Sequence, residues 1–143
     1  MFEILPGRGL VLPLGAGTLT FGMAERDAQW AVATLCDVRE AWVCGLEWSF
    51  GATYQGLDLL VGGVRAGGLG TVHLERATGL PDAPAAVPVV LDGVDVLGYP
   101  QEEVLEALEA LEGQLRCPEV KLWPSDPPGR YPAAVHLSAG AAR

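Results

Sequence analysis

With Glu40 as the one exception, every second residue from Val38 to Phe50 is apolar, and this period constrains the chain more than any other feature. The even positions carry Val38, Glu40, Trp42, Cys44, Leu46, Trp48 and Phe50; the odd ones carry Arg39, Ala41, Val43, Gly45, Glu47 and Ser49. A period of two places alternate side chains on opposite faces of a sheet, one buried and one wetter. Tyr54 to Val61 continues as a second strand, five glycines between Gly62 and Gly70 make a turn, and Leu69 to Arg76 returns as a third. The pattern predicts an antiparallel meander. Alternation persists across Gly45, where a bulge would most readily sit, so the first strand is expected to run unbroken. Trp42, Leu46 and Trp48 would then pack against a neighbouring helix, with Cys44 buried beside them and Arg39, Glu47 and Ser49 in water. On that register Trp42→Ala would cost about 3–5 kcal/mol, as truncation of a buried aromatic does.

The neighbouring helix is read over residues 24–35, where Ala24, Ala28, Ala31, Val32 and Leu35 fall at helical spacing and Trp30 edges the stripe. Before it, Gly9 to Phe21 leans to strand, with Gly15 and Gly17 marking a turn or bulge. Residues 77–88 hold three prolines among small residues and read as a loop. Beyond them Val89 to Leu97 reads as a strand with a turn at Asp92-Gly93. Pro100 opens a second helix that carries Val104, Leu108 and Leu111 inward and ends at Gly113. Val120 to Trp123 reads as a short strand, Pro124 to Arg130 as a loop, and Tyr131, Ala133, Val135 and Leu137 alternate as a last strand. The expectation is an α+β fold with antiparallel sheets and two helices, ordered β-α-β-β-β then β-α-β-β, a plan that hints at duplication. With 143 residues, the halves 1–76 and 89–143 are each too small for a comfortable core, so a single domain 1–143 is expected.

Eighteen acidic against nine basic residues leave a net charge of -9. Such a surface repels nucleic-acid phosphates and anionic lipid, which take up positive charge, and attracts basic partners over long range. No run approaches the ~20 apolar residues that span a bilayer, and Phe2-Glu3-Ile4-Leu5-Pro6 lacks the basic start of a signal peptide. The three cysteines, Cys36, Cys44 and Cys117, are odd in number and not closely spaced, which argues against a disulfide framework. These features predict a cytoplasmic protein without nucleic-acid or membrane partners. One lysine against eight arginines, with abundant alanine and glycine, fits a high-GC bacterial coding bias.

The motifs that carry chemistry are missing. No serine sits in a Gly-x-Ser-x-Gly elbow, and a buried Cys44 would be a poor nucleophile. His73 and His136 stand alone, each on a predicted strand. No His, Cys or carboxylate set has metal-ligand spacing, and Asp92-Gly93-Val94-Asp95 is more simply a turn than a calcium loop. Gly15-Ala16-Gly17 with Gly22 does not match a dinucleotide loop, and Gly62 to Gly68 lacks the Gly-Lys-Ser/Thr ending of a P-loop. No catalytic residue, metal or cofactor is expected. Two features are candidates for binding. Trp42 and Trp48 would form an aromatic surface if their face is left uncovered. Glu102, Glu103, Glu106 and Glu109 form an acidic stripe on the second helix, although such runs are ordinarily just a solvated face.

The segment Gly15 to Leu35, GAGTLTFGMAERDAQWAVATL, resembles a bacterial Gly-x-Gly-x-x-x-Phe-Gly-Met pattern followed by a helix. Similar openings occur in the fold shared by β-lactamase inhibitor proteins and the BamE-type outer-membrane assembly lipoprotein. Leu91 to Pro100, with Glu102-Glu103-Val104, looks like the second half of largely uncharacterised bacterial proteins with that opening. Ala24 departs from the usual capping Ser or Thr, and Ala28 stands where Val is expected. No lipobox cysteine is present, so an outer-membrane role is not implied. The resemblance implies an α+β fold and a non-enzyme. Together these readings predict a non-enzymatic intracellular protein-binding module, of inhibitor or immunity type, with a basic protein partner. The alternative is a binder of apolar small molecules in a pocket lined by Trp42, Trp48 or Trp123. An enzyme using His73, His136 or Cys44 comes third.

Overall fold

The computed structural model describes residues 1–76, 86–115, 120–123 and 131–139, with residues 110–115 described in their backbone only. Two sheets and two helices account for most of them. One sheet joins β1 (Phe2–Leu5), β2 (Gly9–Val11), β3 (Thr18–Thr20), β8 (Val89–Leu91) and β9 (Val94–Asp95), in the order β3-β2-β1-β8-β9. The other joins β4 (Val38–Glu40), β5 (Trp48–Tyr54), β6 (Leu57–Val64), β7 (Gly68–Arg76), β10 (Val120–Trp123) and β11 (Ala134–Ser138), in the order β10-β11-β7-β6-β5-β4. Helices α1 (Glu25–Leu35) and α2 (Gln101–Leu115) complete the fold. Among the described residues β1 and β8 pair parallel, and every other neighbouring pair is antiparallel. The fold is α+β.

The element order is β-β-β-α-β-β-β-β followed by β-β-α-β-β, richer in strands than the sequence pattern suggested. The segments after residue 86 also divide between the sheets: β8 and β9 extend the first, while β10 and β11 extend the second. Buried side chains of both sheets belong to one apolar cluster. Phe2 and Ile4 of β1, Leu10 of β2 and Val89 of β8 meet Phe50 of β5, Leu59 of β6, Leu74 of β7 and Leu137 of β11 there. Phe2 stands edge-on to Tyr54, centroids 5.9 Å apart, which joins the two sheets directly.

Helix α1 adds Ala28 and Val32 to this cluster. Its N-cap, Ala24, supplies no side-chain cap, but Glu25 and Asp27 in the first turn complement the helix dipole. Trp30, expected at the core's edge, is 72 % exposed instead. The chain crosses from the first sheet to the second at Phe21-Gly22-Met23. Gly22 N donates to Leu69 O at 2.9 Å, and Leu69 N donates to Met23 O at 2.8 Å. The Gly-Met step of the sequence motif thus clips the start of α1 to the start of β7.

Several expected boundaries moved. The 38–50 strand is broken: β4 ends at Glu40 and β5 begins at Trp48, with a loop over 41–47 between them. Gly45 adopts φ +90°, a left-handed conformation open to glycine and poor for an extended strand. Alternation resumes within β5, where Trp48, Phe50 and Ala52 are buried and Thr53 faces out. The expected strand 54–61 is split by a tight turn at Gln55-Gly56, both at positive φ, and β6 runs on through Gly62 and Gly63 to Val64. At Asp92-Gly93 the chain makes the expected turn, with φ of 47° and 84°, the primed geometry that matches strand twist. Helix α2 passes through Gly113 instead of ending there. The expected loops at 77–88 and 124–130 lie largely or wholly outside the described residues, as do Cys117 and the side chains of Leu111 and Glu112.

Candidate functional site

The loop over 41–47 is tied to itself and to the neighbouring strands by hydrogen bonds. Ser49 Oγ donates to Ala41 O at 2.7 Å, and Leu46 N closes a turn onto Val43 O at 3.3 Å. Glu47 N donates to Gly63 O at 3.0 Å, while its carboxylate accepts from Arg65 N at 2.9 Å. The Leu46 side chain lies over Gly62, where any Cβ would collide with it. Gly62 therefore gives clearance to the loop, while Gly63 gives it to the Gly68 backbone of β7 and the Trp48 ring, and neither makes a turn.

This anchoring carries Trp42 outward. Its indole is 82 % exposed, whereas Trp48 is 8 % exposed and stacks on Phe50 at 6.2 Å. The register that placed both tryptophans against α1 is thus overturned, and Cys44, expected to be buried, is exposed. Between the loop and the first turns of α1 runs an open groove of about 750 Å3. Trp42 and Trp48 both border it, so the two sequence candidates meet there, one as a projecting ring and one as floor. Its carboxylates are Glu25, Glu40 and Glu47; its guanidinium groups are Arg39 and Arg65. Arg39 is engaged with Asp58 at 3.5 Å and donates to Thr53 Oγ1 at 3.0 Å. Gln29 donates to Glu25 at 3.3 Å.

The acidic stripe is elsewhere. Helix α2 lies against β9, at the edge of the five-stranded sheet. Glu102, Glu103, Glu106 and Glu109 are exposed, opposite the buried Gln101 and Val104, and none of them lines the groove. Glu102 and Glu103 sit in the first turn, where their charge complements the helix dipole.

A second grouping, on the outer face of the six-stranded sheet, was not legible in the sequence. Pairing sets Leu60, His73, His136 and Lys121 side by side across β6, β7, β11 and β10. The Nδ1 atoms of His73 and His136 stand 3.2 Å apart, and His73 Nε2 is 3.2 Å from Glu75 Oε1. An ionised carboxylate only accepts, so in its neutral form His73 carries its proton on Nε2 and presents the Nδ1 lone pair to His136 Nδ1–H. Trp123, half exposed, stands edge-on to His73 at 4.9 Å. Val43, Leu46 and Leu60 complete the walls of a small apolar hollow of about 210 Å3. Burial, then the neighbouring His73 and Lys121, lowers the pKa of His136 from its usual value. Nothing in the sequence links two histidines so far apart; only the pairing of β7 with β11 does so.

Among the described residues no group of three or more His, Cys, Asp or Glu side chains is arranged to hold a metal ion, and no helix is long and apolar enough to cross a membrane. Cys36 and Cys44 are free thiols; burial, then Asp37, raises the pKa of Cys36. Comparison with protein-family models, with curated proteins and with solved structures finds no match to this chain.

Proposed function

We propose that the chain is a non-enzymatic module that binds a basic protein segment, of inhibitor or immunity type, and that it docks this segment in the groove between α1 and the 41–47 loop. The observation that carries this reading is Trp42. A side chain of that size at 82 % exposure forgoes the stabilisation that burying it would bring, and the hydrogen bonds around it fix the loop before any partner arrives. Rigid exposed aromatics are the common anchors of protein interfaces, since little entropy is lost when they are covered. The indole face attracts a lysine or arginine. Glu25, Glu40 and Glu47 stand in the same groove, and the net charge of -9 speeds the approach of a basic partner. Free thiols at Cys36 and Cys44 favour the cytoplasm as the setting. The alternative of an apolar small-molecule binder has less support: the hollow beside Trp123 is about 210 Å3, below the roughly 300–1,000 Å3 of ligand pockets, and the groove at Trp42 and Trp48, about 750 Å3, is open and lined by three carboxylates and two guanidinium groups.

A pull-down with the immobilised chain, repeated with Trp42→Ala, tests the reading. The expected result is a basic protein retained at low salt, weakened at high salt and lost with Trp42→Ala. A partner held equally at both salt levels, or unaffected by Trp42→Ala, contradicts it.

A further inference from the structure

We propose that His73 and His136 form a two-histidine site for a divalent transition-metal ion of the Zn2+ or Cu2+ class on the outer face of the six-stranded sheet. The two residues are direct partners across β7 and β11, so both rings project to the same side of the sheet. Their Nδ1 atoms are 3.2 Å apart. Two imidazole nitrogens bound to one tetrahedral ion at about 2.0–2.1 Å stand roughly 3.3–3.4 Å from each other, so an ion fits between them with a shift of a few tenths of an ångström. Imidazole suits zinc and copper, and calcium and magnesium prefer oxygen.

Glu75 strengthens the case independently. It holds His73 Nε2 at 3.2 Å, the carboxylate–histidine arrangement that fixes a metal-binding tautomer and raises the basicity of the ligating nitrogen. His73 thus presents its Nδ1 lone pair without rearrangement. Neutral His136 moves its proton from Nδ1 to Nε2 when the ion is bound, which gives up its hydrogen bond to His73, and the two rings release no net proton. Water completes the coordination sphere beside Leu60 and Trp123. With two protein ligands the site is open and of modest affinity, and the Lys121 ammonium beside His136 opposes the ion.

Titration of the purified chain with ZnCl2 by calorimetry, and with CuCl2 by tryptophan fluorescence, tests the site. The expected result is one ion per chain, bound more tightly for Cu2+ than for Zn2+. His73→Gln and His136→Gln should each weaken binding at least about tenfold, and the double variant, which keeps neither imidazole, should abolish it. Glu75→Gln should weaken binding about tenfold, Lys121→Gln should tighten it, and Cys44→Ser should leave it unchanged. Circular dichroism confirms that each variant is folded; if one histidine variant unfolds, the other and Glu75→Gln carry the test. Failure to bind either ion at about 1 mM, which is weaker than about -4 kcal/mol, overturns the proposal. Binding that survives in the double histidine variant, or that is lost with Cys44→Ser, overturns it equally.

Discussion

Trp42 and Trp48 are six positions apart and would share a face in any unbroken strand, yet one projects into water and the other lines the core. Their truncation should separate the two roles. Trp48→Ala is expected to destabilise the chain by about 3–5 kcal/mol in urea unfolding, since it empties a packed site against Phe50. Trp42→Ala is expected to change stability by less than about 0.5 kcal/mol, as surface substitutions do. Equal losses would restore the unbroken register. His136 gives a second expectation at this scale. An unfolded histidine takes up its proton near pH 6.5, and the folded His136 resists protonation because it is half-buried and meets His73 and Lys121, with Glu75 one ring further away. The unfolded state therefore binds the proton first, and stability present above about pH 6.5 falls as pH drops through the lowered folded value. Thermal melts from pH 8 to pH 5, run with a chelator, should show that loss, and His136→Gln should flatten it. A melting temperature rising toward pH 5 through this group would contradict the burial of its ring.

Elements were legible where one local rule governed them. Ala28 and Val32 at helical spacing gave α1, and Asp92-Gly93 gave the β8–β9 turn, because both signals act within a few residues. The 41–47 loop was not legible. Its sequence keeps the strand period, and what breaks the strand is the left-handed Gly45 together with anchors on Gly63 and Arg65, which belong to β6 and the turn after it. β1 was hidden for a related reason: Phe2 to Leu5 is short and pairs in parallel with β8, far along the chain. The candidate groove was half legible, its tryptophans visible by type but not by exposure. The histidine pair was invisible until β7 met β11. Arg76 shows how such distant elements are tied. From the end of β7 it donates Nε–H to Pro132 O and a terminal N–H to Leu97 O, each at 2.9 Å, with its guanidinium 5.6 Å from the Tyr131 ring centre. Arg76→Met should lower stability by about 2–4 kcal/mol, because charged donors are removed from two carbonyls. Arg76→Lys should recover less than half, since a point charge cannot bridge both acceptors. A urea midpoint unchanged by Arg76→Met would show that the sheets hold together without this strut.

At the scale of the whole molecule, negative charge is present in two separate places, the groove beside α1 and the outer face of α2. A net charge of -9 would draw the proposed basic partner to either, and long-range attraction alone does not choose between them. The choice is made by short-range chemistry. The groove adds an anchored indole to its carboxylates, whereas Glu102, Glu103, Glu106 and Glu109 offer charge alone on a solvated helix face, the first two in the first turn where the helix dipole already favours them. Fluorescence titration with an arginine- and lysine-rich peptide at low salt measures this directly, comparing the parent chain with Trp42→Ala, with Glu25→Gln/Glu47→Gln, and with a variant in which Glu102, Glu103, Glu106 and Glu109 are changed to glutamine. The predicted result is at least about tenfold weaker binding for the two groove variants, the size of a single interface anchor, and a change of no more than about threefold for the α2 variant, attributable to net charge alone. Binding lost with the α2 variant and retained with Trp42→Ala would contradict the assignment of the groove as the docking site.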